Sequence, residues 1–471
     1  MKKTLVSIFL GISLSSSAFA DDLLTVYQMA VENDPLINRA EAQKDAAYAG
    51  IDISRASLLP QISGSVSYTD SSREIVDQQL ISETEFIQIS GDVDTSSLSY
   101  GLDLNMSLYD HSNWLNLNRA EIVAQQSDAS LGAALQDLMG RTVTAYLAVL
   151  REQDNVEFVK AELRAIERQL EQTKQRFEVG LTAITDVHEA QANYDNTIAR
   201  QIRAENLLEL RLEELREITG KYHDRIDILD TSKFSAVPPS PDNVTSWLST
   251  AEEANLNLLA QRFARDIAKE DIDISQSGHY PSLGLRGSYS RSDSKTETSL
   301  DGIDPDTGLP IETRVNDPDP LDNRSITLSL NVPIYEGGAT TAQTKRARAN
   351  YIVASENLEL TYRQTVRLVR SSFNDVKAAI STIRALEQSV VSAESALNAT
   401  EAGFDVGTRT IVDVLNSTRN LFDARRNLAD ARYNFIQAIV TLKQSAGTLT
   451  KEDIVDINRA LSPAPVQSSN S

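Results

Sequence analysis

Leu98-Ser99-Tyr100-Gly101-Leu102-Asp103-Leu104-Asn105-Met106-Ser107-Leu108 carries a large apolar residue at every even position and a small or polar one at every odd position. That is the two-residue period of a strand with one face in an apolar medium and the other in water. The pattern returns where Ile326, Leu328, Leu330, Val332 and Ile334 alternate with Ser325, Thr327, Ser329 and Asn331. Each segment has an upstream partner, Ile62-Ser63-Gly64-Ser65-Val66-Ser67-Tyr68 in one case and Leu283, Leu285, Gly287 and Tyr289 in the other. About 30 residues rich in Asp, Ser and Glu separate the members of each pair and predict long polar loops, the habit of membrane barrels on one side.

Four such strands cannot close a membrane barrel, because closure needs about eight to satisfy every backbone group away from lipid. Several chains must therefore share one barrel. Eight strands from a dimer would be filled by their own side chains, so a conduit needs a trimer or more.

The rest of the chain agrees with export. Lys2 and Lys3 precede an apolar stretch and then Ala18-Phe19-Ala20, so 1–20 reads as a signal peptide with the mature chain starting at Asp21. No later run reaches the roughly 18 apolar residues of a spanning helix. Cysteine is absent, which excludes disulfides and thiolate chemistry and suits the periplasm. A formal charge of −22 argues against nucleic acid as a partner.

The chain is also written twice. Ile51-Asp52-Ile53-Ser54 recurs as Ile272-Asp273-Ile274-Ser275, Pro60 as Pro281, and Phe177-Glu178-Val179-Gly180 as Phe404-Asp405-Val406-Gly407. The repeats span 21–235 and 247–450, joined by a Pro-rich linker at 236–246 and followed by a tail, 451–471, expected to be disordered. Proline-free stretches predict helices over 113–176 and 338–403, with shorter helices of about 35 residues before each first strand and after each Val-Gly turn. Val156, Val159, Leu163, Ile166, Leu170, Thr173 and Phe177 form a heptad stripe that Ile383, Leu386, Val390, Ala393, Leu397, Thr400 and Phe404 repeat in register, which predicts coiled coils.

The turns themselves carry a family resemblance. Glu401-Ala402-Gly403-Phe404-Asp405-Val406-Gly407-Thr408-Arg409-Thr410-Ile411-Val412-Asp413 and its earlier copy, Gln175-Arg176-Phe177-Glu178-Val179-Gly180-Leu181-Thr182, resemble the turns of the TolC family of outer-membrane exit ducts. The likeness of order and repeat extends over essentially the whole mature chain. It implies an α+β membrane protein in the outer membrane. Three chains would share a 12-stranded transmembrane β-barrel, four strands from each, continued by an α-helical coiled-coil barrel in the periplasm.

The resemblance further implies a duct for tripartite efflux pumps or type I secretion. The partners would be a periplasmic adaptor (membrane fusion) protein and an inner-membrane RND, ABC or MFS transporter. The adaptor would dock at Val179, Gly180, Leu181, Val406, Gly407 and Thr408. An iris-like gate would involve Gln175, Thr185, Asp186, Phe404, Arg409, Asp413 and Asn416. Where the family has a tyrosine this chain has Phe404, and Asn416 replaces a second acid, leaving Asp413 as the single acid ring for cation block. Arg409 paired with Asp186 is then the expected main latch.

Enzyme chemistry finds no parts. No phosphate loop, H-E-x-x-H or G-x-S-x-G motif occurs, so neither catalysis nor a cofactor is expected. His111, His188, His223 and His279 are scattered and expected at surfaces or interfaces. A soluble periplasmic coiled-coil adaptor predicts no amphipathic strands, and a stand-alone porin needs many more strands and much less helix.

Overall fold

A computed structural model describes residues 21–82, 85–223, 225–301 and 314–463. The expected signal peptide, 1–20, and the end of the expected tail, 464–471, lie outside them. Along the chain come α1 (Leu23–Asn33), α2 (Pro35–Ala56), β1 (Gln61–Ser82), β2 (Glu85–Tyr109), α3 (His111–Glu178), α4 (Ile184–Thr219) and β3 (Ile228–Leu229). Then follow α5 (Val244–Ala254), α6 (Leu256–Ser277), β4 (Ser282–Asp301), β5 (Arg314–Asn316), β6 (Leu321–Asn331), α7 (Ala339–Asp405), α8 (Ile411–Ser445), α9 (Lys451–Arg459) and β7 (Leu461–Ser462). Two compact units result, one from residues up to 44, 126–262 and 356 onward, the other from 45–125 and 263–355.

Helix lengths follow local chemistry. Free of proline, α3 and α7 run for 68 and 67 residues and carry on past Phe177 and Phe404 to their Val-Gly turns. The helices expected to be continuous before each first strand are instead broken into pieces of 11 and 22 residues. Pro35 disfavours a helical Asp34, whose Oδ1 accepts the backbone N–H groups of Leu36 at 2.8 Å and Ile37 at 3.1 Å and so starts α2. Asn255 does the same for α6 through the N–H of Leu258 at 2.9 Å. The expected linker, 236–246, gives way to α5 at Val244, capped by the Asn243 side chain. No helix among the described residues is long and apolar enough to cross a membrane.

In the second unit the strands form one antiparallel sheet in the order β1-β2-β4, with β5 and β6 both pairing with β4. The register sets Ile62 opposite Leu104, Val66 opposite Tyr100, Leu102 opposite Tyr289 and Leu285 opposite Leu328. One face is thereby apolar, and it is bare: Val66 is 77% and Ile326 86% exposed. The other face is polar, with Ser99 hydroxyl to Ser292 hydroxyl at 2.9 Å and Arg286 to Asp103 at 3.2 Å. Among the described residues β1 on one side of the sheet, and β5 and β6 on the other side of β4, each keep one edge unpaired.

The expected loop after Tyr68 is strand instead. Pairing is continuous from Gln61–Asn105 as far as Leu80–Phe86, because ladder bonds satisfy the backbone even where both faces are polar. At the other end, β6 stops at Asn331 because Pro333 has no N–H to donate, so Val332 and Ile334 lie beyond the strand.

The first unit holds the main core, where Leu23 and Val26 of α1 meet Tyr146 and Leu150 of α3, Phe373 of α7 and Tyr433 of α8. The buried Tyr146 hydroxyl donates to the Asp227 carbonyl at 2.8 Å and that of Tyr433 to Asp154 Oδ2 at 2.6 Å. Two sequence expectations fail here. The tail is ordered over 451–463: a Thr450–Asp453 capping box starts α9, which buries Ile454, and β7 then pairs with β3. His223 is fully buried rather than superficial, its Nδ1 2.8 Å from Asp21 Oδ2 and its Nε2 2.9 Å from Thr219 Oγ1.

Candidate functional site

Both Val-Gly turns belong to the first unit and close their helices identically. Gly180 N–H donates to the Phe177 carbonyl at 2.9 Å and Leu181 N–H to that of Arg176 at 2.8 Å. In the second copy Gly407 donates to Phe404 at 3.0 Å and Thr408 to Gly403 at 2.8 Å. This crossed pair of bonds is the glycine C-cap, and it demands the left-handed backbone seen at φ 77° and 78°. Val179, Leu181 and Val406 project from the turns largely into solvent, with Gly180, Gly407 and Thr408 exposed beside them.

The helices that leave the turns start differently. Thr410 caps α8 in a reciprocal box: its N–H and hydroxyl donate to Asp413 Oδ2, both at 3.0 Å, while Asp413 N–H returns to Thr410 Oγ1 at 3.3 Å. The Thr410 N–H first, then its hydroxyl, holds the Asp413 carboxyl below its ordinary range. No side-chain cap starts α4 at Ala183, and Asp186 instead accepts the Thr182 hydroxyl.

Behind the turns Phe404 packs with Ile166 and Leu170 of α3, Ala190 of α4, and Ile411, Val414 and Leu415 of α8. The two copies diverge at this point, since Phe404 is 8% exposed and Phe177 is 41% exposed. Arg176 spans the divergence. Its guanidinium lies 4.5 Å from the centroid of the Phe404 ring, donates to the Phe404 carbonyl at 3.4 Å and stands 3.5 Å from Asp405. Sequence reasoning passed over this residue, although the aligned copies signalled it by setting Arg176 against Gly403.

The expected gate residues are not gathered into one contact within the chain. Gln175 donates to Glu171 at 3.3 Å, Thr185 is exposed, and Asn416 accepts from Arg419 at 3.2 Å. Arg409 lies over Gly403, where a Cβ would stand 2.8 Å from its Cγ. No Arg409–Asp186 pair forms within the chain among the described residues, and no group of acids and histidines there could hold a metal ion.

A bare apolar sheet face on one unit, and paired long helices ending in exposed apolar turns on the other, define the class: a membrane channel of strands and long helices. The outer membrane efflux protein family matches residues 26–221 and 247–448, and the chain belongs to it. The chain is 42% identical to outer membrane protein TolC of Vibrio cholerae, over 98% of this chain and 100% of that one. It is 40% identical to TolC of Escherichia coli strain K12, over 98% and 90%, and 28% identical to the alkaline protease secretion protein AprF of Pseudomonas aeruginosa, over 94% and 87%. Among solved structures, CusC superposes with a TM-score of 0.73 at 16% identity, over 91% of this chain and 93% of that one. VceC of Vibrio cholerae gives 0.69 at 19% identity, over 90% and 96%. The protein is an outer-membrane exit duct of the TolC family, a family of transport channels, with its helical part in the periplasm.

Proposed function

We propose that three chains share a single twelve-stranded barrel and that their helices together line a periplasmic tunnel, the two sequence repeats supplying two strands each. The observation that carries this reading is the open sheet: its bare apolar face suits lipid, but among the described residues β1 on one side and β5 and β6 on the other leave backbone edges unpaired, which a bilayer core does not tolerate. Pairing β1 of one chain with β6 of the next removes both edges. The absence of cysteine gives a clean background for testing this. Single cysteines paired between Ser63 or Ser67 on β1 and Ser325 or Ser329 on β6 should crosslink to a covalent trimer in intact cells, and a pattern ending at dimer or monomer overturns the arrangement.

The turns at Val179-Gly180-Leu181 and Val406-Gly407-Thr408 are the docking points for a periplasmic adaptor protein, which links the duct to an inner-membrane transporter of the RND, ABC or MFS kind. Exposed apolar side chains on a rigid glycine turn suit a helical-hairpin partner. The chain has no nucleotide motif, so it conducts passively and the transporter supplies the energy. Kinship with a protease secretion protein favours polypeptides among the cargo. The gate is an iris at the turns, closed between chains by Arg409 against Asp186, Thr185 or Gln175 of a neighbour, with Asp413 as the cation-binding ring, Asn416 as its missing second member and Phe404 as the buried anchor.

A further inference from the structure

The apolar face of the sheet has a measurable height. On β2 it begins at Tyr109 and reaches Tyr100, nine residues on, which at the usual rise and barrel tilt is about 22 Å, close to the roughly 25 Å belt of outer-membrane barrels. Below the level of Leu102 the outward positions carry no charge; Leu104, Met106, Leu285, Ile326 and Leu328 are typical. Tyrosines mark its upper edge: Tyr68, Tyr100 and Tyr289.

At that edge two arginines appear on the same face. Arg291 is level with Tyr100 and Asp322 across the strands, and Arg324 is level with Leu102 and Tyr289. Asp322 serves Arg291 at 3.7 Å and accepts the Tyr289 hydroxyl at 3.2 Å, while the Arg324 guanidinium sits 5.5 Å from the Tyr289 ring centroid. No carboxylate pairs with Arg324 among the described residues. Acidic side chains on this face resume only higher up, at Asp293 and Asp70. In a protein of net charge −22, the first charges met on leaving the apolar belt are thus two guanidiniums against one carboxylate.

From this we infer that Arg291 and Arg324, braced by Tyr289 and Asp322, form a binding site for the phosphate of an outer-leaflet lipid headgroup. A lipid whose chains lie against Leu102, Leu285 and Ile326 presents its phosphate at the height of the tyrosines. There a planar guanidinium fork binds it in a half-dry setting, where such bonds are stronger than in water. The site holds a defined lipid on each chain and sets the depth of the barrel. It rests on the apolar face being the lipid face.

The test is native mass spectrometry of the detergent-extracted oligomer titrated with diphosphorylated lipid A, with the same lipid after enzymatic dephosphorylation, and with inorganic phosphate as competitor. The phosphorylated lipid should bind about tenfold more tightly than the dephosphorylated one, and Arg291→Gln with Arg324→Gln should abolish that margin. Equal affinity for the two lipids, an unchanged margin in the double variant, or full displacement by millimolar inorganic phosphate overturns the proposal. If the double variant does not assemble, the lipid comparison on the unmodified protein decides alone. Oligomer mass and channel conductance, recorded on the same sample, report separately on the shared barrel.

Discussion

Asp413 Oδ2 accepts both the N–H and the hydroxyl of Thr410, so the acid assigned to cation block also begins α8. Its folded pKa is depressed, so its stabilising contribution is present above the unfolded value of 3.8 and is lost as pH falls through the lower folded value. Protection factors of the Asp413 and Val414 amides, corrected for intrinsic exchange, should therefore fall below about pH 4 and stay flat from pH 5 to 8; a change centred near neutrality would contradict this assignment. Asp413→Ala should remove cation block and fray α8 together, whereas Asp413→Asn should remove the block with less fraying. Conductance with and without a trivalent cation, set beside exchange at the helix start, separates the two roles.

Phe404 makes the same point from the apolar side. Because it is buried among residues of α3, α4 and α8, Phe404→Ala should destabilise the turn region by about 3 kcal/mol. A local exchange measurement that moves by less than about 1 kcal/mol would show that the packing is loose. Arg176 then holds only the rim of this cluster: Asp405 is 77% exposed, and an ion pair to it adds little.

At the scale of elements, α3 and α4 are tied by more than the heptad stripe. Glu162 is buried, and both of its oxygens accept from Arg200, at 2.9 and 2.6 Å, while Arg200 also donates to Thr197. Removing one partner strands a buried charge, so Arg200→Ala should cost about 3 kcal/mol, and pairing it with Glu162→Leu should recover most of that. A thermal denaturation series in which the double variant is no better than the single one would refute the coupling.

The turns make a second element-level prediction. Open space surrounds Gly180 and Gly407, so a bulky residue clashes with nothing yet meets the left-handed backbone. Gly180→Trp with Gly407→Trp should abolish export while the oligomer stays in the outer membrane; normal export would place adaptor docking elsewhere. Arg409→Ser should raise the conductance of the resting pore, and no change would remove Arg409 from the latch.

For the whole molecule, what the sequence revealed follows from range. Strands at 98–108 and 326–331, the two long helices and the glycine turns were legible because each is set by a local period or a single backbone requirement. The break at Asp34-Pro35 was written locally too, and only the helical period of the flanking residues hid it. By contrast, the extension of β1 and β2 through polar residues depends on a ladder between segments up to 44 residues apart, Gln61 with Asn105. The order of α9 depends on Ile454 finding a core assembled from α1, α3 and α8. Arg176 was missed for the same reason: its meaning lies in Phe404, 228 positions away. The gate residues other than Phe404 are the least legible of all, since within one chain each already has a local partner or faces solvent.

That last fact puts the weight on assembly, because in the proposed arrangement neighbouring chains complete both the open sheet and the latch. The mass of the detergent-extracted particle, measured by native mass spectrometry, tests this most directly. Three copies of the mature chain are predicted; a monomeric particle that still conducts ions across a planar bilayer would contradict the shared barrel outright.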